Sequence, residues 1–196
     1  KKEILPLIGV GLLFSVQLGF MNVGQNFTSG GHGVIMITTF PLWSSIFSHL
    51  FIPNDKLSKL KIFGMAIAYS GIIVLFWESL QNSKTDYLWG DIMMLTSAML
   101  LGARQIYISQ IAQGIRQINI LLSQALIGII TFFIFSMFFE SQNYFISISL
   151  IAALFYQGAI IAGFGFIGQT WLLKKYLPSK ITIISLSQPV FGVMLA

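Results

Sequence analysis

The sequence predicts an all-α membrane protein, a polytopic helical bundle with seven transmembrane helices. Of its 196 residues, 56% are hydrophobic and only 9% are charged, whereas a soluble domain has about 25% charged residues. Seven apolar runs follow one another along the chain, and each is about long enough to cross a hydrocarbon core of roughly 30 Å. The runs are too long, and alternate too little, to be strands of a β-barrel.

The predicted spans are bounded by turns and charged loops, none of which is long enough to fold as a separate domain. A glycine-rich turn precedes the second span, a basic loop follows it, and a turn with Pro178 precedes the last span. The chain begins with Lys1 and stops at Ala196 within an apolar run, so we expect that further residues precede and follow it. The spans are 4–27, 32–52, 60–78, 88–113, 118–139, 148–174 and 179–196.

The basic residues are distributed unequally between the two sides of the predicted bundle. Seven spans place successive loops on alternate sides, so that one side receives nine basic residues and the other receives Lys84 alone. By the positive-inside rule the Lys-rich loops are cytoplasmic, and we expect an integral protein of the plasma (inner) membrane. The nine basic residues are Lys1, Lys2, Lys56, Lys59, Lys61, Arg116, Lys174, Lys175 and Lys180, and the acidic residues opposite them are Glu78, Asp86, Asp91 and Glu140.

The second and last spans have the same design. A shift of 148 residues places Pro41 on Pro189 and Thr39 on Ser187. The turn before one copy is predicted to be external and the turn before the other cytoplasmic, so the two copies have opposite orientations. This arrangement is an inverted-topology repeat, which in transporters places the substrate site near the middle of the membrane.

Two stretches of the sequence resemble a known family. The run QNFTSGGHGVIMITTFPLWSSIFSHLFIPNDKLSKLKIFGMAIAYSGIIVLF is similar to the last two helices of an EamA-type repeat, and KKYLPSKITIISLSQPVFG is a less complete second copy. EamA-type proteins belong to the drug/metabolite transporter superfamily. The shared pattern is a Thr-Ser turn, a helix with a central proline, an acidic-basic loop and a Gly-rich helix.

The resemblance implies an architecture of ten helices in two five-helix repeats, of which the seven spans would be helices three to nine. Residues 1–78 would be the C-terminal part of the first repeat, with three helices, and residues 88–196 the second repeat with four helices, truncated at its last. The acidic-basic pair, usually Glu-Arg in the family, appears here as Asp55 and Lys56 after Pro53.

The resemblance also implies the function, which is carrier-type transport of a small organic metabolite by alternating access. An amino acid or a related compound is the expected substrate. Two alternatives remain open, a non-transporting membrane scaffold and an intramembrane enzyme, although no convergent nucleophile and base are apparent in the sequence. No Asp or Glu lies deep inside a predicted span, so a proton-coupling carboxylate would come from helices outside this chain; otherwise the protein is a facilitator or exchanger.

The candidate substrate site lies between the two spans that contain a central proline. Pro41 and Pro189 each remove a backbone donor from a helix, which leaves one carbonyl without its usual partner. That carbonyl can line a substrate cavity; the alternative is that the proline only kinks the helix. Polar and aromatic side chains at similar depth are candidate substrate contacts. They are Thr39, Trp43, Tyr156 and Gln188, together with Arg104.

Arg104 is the one charged residue that lies unambiguously inside a predicted span, away from its ends. A charge in a membrane span indicates function by default, and a guanidinium would pair with an anionic group such as a substrate carboxylate. The alternative is that Arg104 extends its side chain toward the cytoplasmic surface.

Composition and spacing argue against several other kinds of site. The chain has no cysteine, which excludes thiolate metal sites, and His32 and His49 lie too far apart on one span to share a metal. The run Gly163 to Gly168 spells G-x-G-x-x-G but lies in an apolar span, where small residues favour helix packing over nucleotide binding. We therefore expect no cofactor, no metal and no nucleic acid, with the bilayer and a small-molecule substrate as partners and an oligomeric state that the sequence does not indicate.

Overall fold

A computed structural model describes residues 3–81, 87–139 and 146–195, and all regular secondary structure within these ranges is helical. No strand occurs within these ranges, and the predicted fold class, an all-α polytopic membrane protein, is confirmed. The helical segments group into seven, and their bounds lie within three residues of the predicted spans. Lys1, Lys2, Lys84, Asp86 and Glu140, which entered the charge argument, lie outside the described residues.

Four of the seven segments are interrupted helices. The continuous helices are α1 (Ile4–Gln25), α6 (Leu88–Ile111) and α7 (Gln117–Phe139). The interrupted ones are α2 (Gly30–Ile37) with α3 (Phe40–Phe51), α4 (Lys59–Leu75) with α5 (Trp77–Gln81), α8 (Ile148–Phe155) with a π-helix (Tyr156–Gly165) and α9 (Phe166–Lys175), and α10 (Pro178–Ile184) with a 3₁₀ turn (Ser185–Ser187) and α11 (Gln188–Leu195).

Five segments within the described residues are long and apolar enough to cross a membrane. These are Ile4–Gln25, Gly30–Phe51, Leu88–Ile111, Gln117–Phe138 and Ile148–Lys175. Lys59–Leu75 has 17 residues, slightly under the roughly 20 that a perpendicular span requires.

The helix breaks before the two central prolines are built alike. Corresponding elements of the two spans are 148 positions apart. This offset separates the start of α2 from that of α10, the start of α3 from that of α11, and Pro41 from Pro189. In the first break the Thr39 hydroxyl donates to the Met36 carbonyl at 2.7 Å. In the second, the Ser187 hydroxyl donates to the Ile184 carbonyl at 2.8 Å, again three residues back. The similarity seen in the sequence therefore extends to a shared hydrogen bond.

The described residues form two compact units. The first consists of residues 3–15, 108–139 and 146–175. The second consists of residues 16–81, 87–107 and 176–195, and it contains both proline-containing spans. Each unit combines a segment from the first half of the chain with one from the second half. The units therefore do not coincide with the two sequence repeats that the resemblance implies.

In the first unit, helices approach closely through glycine and aromatic contacts. A Cβ atom at Gly11 of α1 would lie 2.9 Å from the Ser123 carbonyl of α7, so these two backbones meet where only glycine fits. The rings of Phe14 and Phe166 meet edge to face with centroids 6.3 Å apart. The ammonium of Lys175 lies 4.3 Å from the centre of the Trp171 ring.

In the second unit, an apolar core joins α2, α4 and the 3₁₀ turn of the last span. Its buried members are Ile35, Met65, Ile72 and Leu186. α10 packs against α3, so each broken span contacts elements of the other. This packing holds the two helix breaks within one unit.

Gly102 of α6 allows α3 and α6 to meet backbone to backbone. A Cβ atom there would lie 2.8 Å from the Ser44 amide nitrogen and 2.9 Å from the Trp43 Cβ. We expect Gly102→Ala to destabilise the protein by roughly 1–3 kcal/mol through overpacking, and to lower its Tm in detergent.

Gly64 of α4 is the matched control, because no neighbouring atom lies within 4 Å of a Cβ atom there. Gly64→Ala should be neutral or stabilise the protein by about 0.5–1 kcal/mol, since alanine is the better helix former. Equal Tm values for the two variants would contradict the close approach at Gly102.

Candidate functional site

The break between α2 and α3 is a short turn in which threonine hydroxyls donate to carbonyls of the preceding helical turn. The Thr38 hydroxyl donates to the carbonyls of Val34 at 2.7 Å and Ile35 at 3.0 Å. Pro41 therefore lies in the first turn of a new helix, where proline is favourable because no intrahelical donor is needed. The sequence predicts an irregular helix at Pro41. In the structure the helix is interrupted just before this proline, which lies at the start of the next helix.

The residues expected to contact substrate occupy different environments. Thr39 is buried within the break, and Trp43 is partly buried on α3 with its ring 6.4 Å from that of Phe47. Gln188 is exposed at the start of α11. These three and Arg104 belong to the second unit, whereas Tyr156 belongs to the first, where it begins the π-helix and is exposed.

Arg104 is buried in α6, with only 6% of its surface exposed. It is seven residues from Ser97, which places both side chains on nearly the same face of the helix. Gln17 of α1 contacts that face. Its side-chain Nε2 donates to the Ser97 hydroxyl at 3.0 Å, and its backbone carbonyl accepts from the same hydroxyl at 2.9 Å. Gly102 is about 200° around the helix from Arg104, so α6 presents Arg104 and the α3 contact on different faces.

Three buried polar atoms of the second unit have no hydrogen-bond partner among the described residues. They are Gln17 Oε1, Ser44 Oγ and Gln105 Oε1. Buried polar atoms are almost always hydrogen-bonded, so each exception calls for a specific explanation such as a ligand. Gln17 and Gln105 were not among the predicted contacts; the signal that could have indicated them is an amide side chain in the middle of an apolar run.

A buried carboxylate joins the loop after α3 to the start of α10. Asp55 Oδ1 accepts from Lys61 Nζ at 2.6 Å and from the Ser179 hydroxyl at 2.5 Å. Asp55 Oδ2 accepts from the Ser48 hydroxyl at 2.6 Å and from the Ser179 amide at 3.0 Å. The cationic partner of Asp55 is therefore Lys61, whereas Lys56 donates to the His49 carbonyl at 2.9 Å.

These hydrogen bonds determine the charge of Asp55. Burial alone would raise the pKa of its carboxyl, but the hydrogen bonds from Lys61, Ser179 and Ser48 outweigh burial and lower the pKa from 3.8 to about 2. The carboxylate is therefore ionised at all physiological pH values, and it acts as a fixed acceptor that links two broken spans.

A second polar cluster lies at the opposite end of the α2–α3 span. His32 is buried, and its Nδ1 lies 2.9 Å from Asp91 Oδ2. The other carboxylate oxygen accepts from the Thr28 hydroxyl at 2.5 Å. The Tyr87 ring meets the imidazole edge to face with centroids 5.5 Å apart. Within the described ranges, no group of three or more His, Asp or Glu side chains could hold a metal ion.

The fold and these clusters can be compared with known proteins. The sequence model of the EamA-like transporter family matches residues 1–77 and 88–196, nearly the whole chain. The chain belongs to the EamA-like transporter family. The resemblance to EamA-type proteins and the membrane character predicted from the sequence are thereby confirmed.

Individual relatives of this EamA-like chain are named as transporters. The uncharacterized transporter YoaV of Bacillus subtilis (strain 168) is 22% identical over 194 residues, covering 98% of this chain and 66% of that protein. An uncharacterized transporter of Archaeoglobus fulgidus is 21% identical over 194 residues, covering 98% and 68%. The chain thus spans about two thirds of the length of these relatives.

One solved structure has the same fold as this EamA-like chain. A protein crystal structure aligns with a TM-score of 0.81 and 17% sequence identity, over 97% of this chain and 65% of that chain. At this level of identity, the alignment supports the helical fold and carries no information about substrate.

The carboxylate of Asp55 makes the stability of the protein depend on pH. Its pKa is lowered from 3.8 to about 2 on folding, so its stabilising effect is present above pH 4 and is lost as the pH falls toward 2. The shift corresponds to roughly 2 kcal/mol. We expect Asp55→Asn to lower the Tm at pH 7 and to approach the wild type as the pH is lowered from 4 to 2.

Lys59→Gln is the control for this measurement, because Lys59 is exposed two residues before Lys61 at the start of the same helix. It should leave the Tm unchanged at every pH, whereas Lys61→Gln should lower it. A difference between wild type and Asp55→Asn that stays constant down to pH 2 would contradict the assigned role of the carboxylate.

Proposed function

We propose that the protein is a carrier that moves a small organic metabolite, an amino acid or a related compound, across the plasma (inner) membrane by alternating access. The Lys-rich loops are cytoplasmic in this proposal. The family assignment and the relatives named as transporters support the class. The observation that supports a binding site in this chain is the set of buried polar atoms without partners in the second unit.

The chemistry of the buried groups is complementary to a zwitterion. The amide oxygens of Gln17 and Gln105 accept hydrogen bonds, and an ammonium group supplies up to three donors. The guanidinium of Arg104 is a planar cation that suits a carboxylate. In a low-dielectric interior both attractions are stronger than in water. An amino acid offers both groups at once.

The proposed binding region includes the helix breaks of both proline-containing spans. Thr39 and Trp43 lie at the first break and Gln188 at the second, while Pro41 and Pro189 each lie in the first turn of the following helix. Short turns between half-helices can absorb a change of backbone direction without disrupting the helices on either side. These breaks are the proposed hinges of the alternating motion. The proposed contact by Tyr156, which belongs to the first unit, stays a prediction from the sequence.

Gln105 provides a direct test, because a polar group kept for substrate binding has opposite effects on stability and activity. Gln105→Met replaces a buried amide by an apolar side chain of similar length. Removing an unsatisfied oxygen should raise the free energy of unfolding by about 1 kcal/mol. Uptake of a ¹⁴C-labelled mixture of L-amino acids into liposomes should fall about tenfold, as expected for one lost hydrogen bond to a charged group.

Ser45→Ala is the matched control for Gln105→Met. Ser45 is a buried polar residue of the same unit, but its hydroxyl already contacts the Met65 sulfur at 3.3 Å. It should change uptake by less than about twofold, because that contact is weak. Loss of stability together with unchanged uptake in Gln105→Met would show that the amide is structural.

Arg104 provides the test of substrate charge. Arg104→Gln should reduce uptake of amino acids with a free carboxylate by about tenfold or more, since an ion pair in a dry site is lost. The same variant should spare amino acid amides, which have no anionic group. Arg104→Lys should restore only part of the uptake, because an ammonium lacks the bidentate geometry of guanidinium.

Trp43→Ala separates the two interpretations of Arg104. If Arg104 only extends toward the surface, both of its variants should transport normally while Trp43→Ala still reduces uptake. All variants are compared at matched amounts of protein in the liposomes. Normal uptake of free amino acids by Arg104→Gln would exclude the arginine from substrate binding, and absence of uptake by the wild type would favour a scaffold.

A further inference from the structure

The hydrogen bonds of Asp55 join two spans at the end where α3 finishes and α10 begins. Asp55 lies in the loop after α3, and Ser179 is the second residue of α10. Both residues are buried, their contact spans 124 positions of sequence, and α10 packs against α3. The predicted topology places this end of both spans on the cytoplasmic side. The contact therefore lies where a substrate path between the two spans would meet the cytoplasm.

The partners of Asp55 divide into those from its own stretch of chain and one from the last span. Ser48 and Lys61 precede and follow Asp55, and each donates to it at 2.6 Å. Ser179 comes from the last span and donates through its hydroxyl at 2.5 Å and its amide at 3.0 Å. Its hydroxyl also accepts from Lys61 Nζ at 2.8 Å.

This division allows the two spans to separate without leaving a bare charge. An ion that loses its partner in a buried site is costly. When Ser179 moves away, the Asp55 carboxylate keeps the ammonium of Lys61 and the hydroxyl of Ser48 as partners. The bonds that break are those of Ser179 alone, so the contact is built to open along one boundary.

We propose that the contact between Asp55 and Ser179 is the cytoplasmic gate of the carrier, which closes the substrate path in this conformation and opens once in each transport cycle. The proposal rests on the carrier function argued above and names the residues that close one side of the path. The Lys61 side chain is 21% exposed, so water reaches the edge of the contact. Water can replace each hydrogen bond that Ser179 gives up, which keeps the net cost of opening small.

The apolar core of the same unit provides a fixed point about which the gate can open. Leu186, in the 3₁₀ turn of the last span, belongs to this buried core together with Ile35, Met65 and Ile72. α10 has seven residues, so this turn lies about 10 Å from the gate along the helix axis. A short turn can absorb a change in backbone direction. α10 can therefore tilt away from α3 while the core stays packed.

The first test measures opening of the gate and needs no substrate. Thr182 is buried about one turn beyond Ser179 in α10, and the chain has no cysteine, so Thr182→Cys introduces a single thiol behind the gate. In everted membrane vesicles, a membrane-impermeant maleimide reaches this thiol from the cytoplasmic side only while the spans are apart. Adding Ser179→Ala removes a hydrogen bond to a charged group, which should raise the labelling rate about tenfold.

Ser45→Ala in the same Thr182→Cys background is the matched control. Ser45 is a buried serine of α3 whose hydroxyl contacts the Met65 sulfur, at a distance of 3.3 Å. It should change the labelling rate by less than about twofold, measured well below the Tm of each variant. Equal labelling rates for Ser179→Ala and Ser45→Ala would show that the contact is a permanent link and would overturn the gate. An increase found only in right-side-out vesicles would overturn its cytoplasmic assignment.

The second test asks whether transport requires the gate to open. Asp55→Cys with Ser179→Cys places two thiols across the gate, whereas Asp55→Cys with Ser48→Cys places both on one side of it as the matched control. A short bis-methanethiosulfonate reagent bridges each pair, and dithiothreitol removes the bridge. Exchange of the ¹⁴C-labelled L-amino acid mixture in proteoliposomes should fall at least tenfold when the gate is bridged and recover on reduction. Bridging the control pair should change exchange by less than about twofold.

The two tests separate the gate from the carrier function. Equal exchange with and without the bridge across the gate would overturn the gate while leaving the carrier function intact. Absence of exchange in the wild type would instead count against the carrier function, and the labelling rates would still decide whether Asp55 and Ser179 come apart.

Discussion

Every polar backbone group within a bilayer needs a partner inside the protein, and this requirement explains how the chain can interrupt its helices. A break exposes carbonyls that the ordinary helix would have paired, at a cost of several kcal/mol each in hydrocarbon. The hydroxyls of Thr38, Thr39 and Ser187 each donate to a carbonyl three or four residues back at these breaks. The half-helices that face the proposed substrate therefore depend on short polar side chains as much as on the prolines.

Local sequence features predict the helical segments well, because hydrophobic runs and their charged or glycine-rich boundaries are local properties. The segment Leu88–Ile111, for example, was predicted to begin at 88 and extend to 113. The interruption at Thr38 was predicted only as an irregularity at Pro41. Its true position depends on where the threonine hydroxyls find carbonyls, and hydropathy contains no information about that.

The polar clusters could not be predicted from the sequence, because their members are far apart along the chain. His32 and Asp91 are separated by 59 positions, Gln17 and Ser97 by 80, and Asp55 and Ser179 by 124. The adjacent charges at Asp55 and Lys56 suggest a local pair, but Lys61 in the first turn of α4 binds the carboxylate instead. Arg104 could be selected as a candidate contact from the sequence alone, because a charged residue within an apolar run is a local feature.

The hydrogen bonds of Asp55 also set an order of events during synthesis. Asp55 leaves the ribosome 124 residues before Ser179, an interval of roughly 6–25 seconds at typical rates of elongation. Until then the carboxylate has Ser48 and Lys61 beside it but lacks both groups of Ser179. The loop after α3 therefore reaches its final geometry only when α10 has been inserted and docked. A chain that stops before α10 therefore leaves the Asp55 carboxylate with two of its four hydrogen bonds.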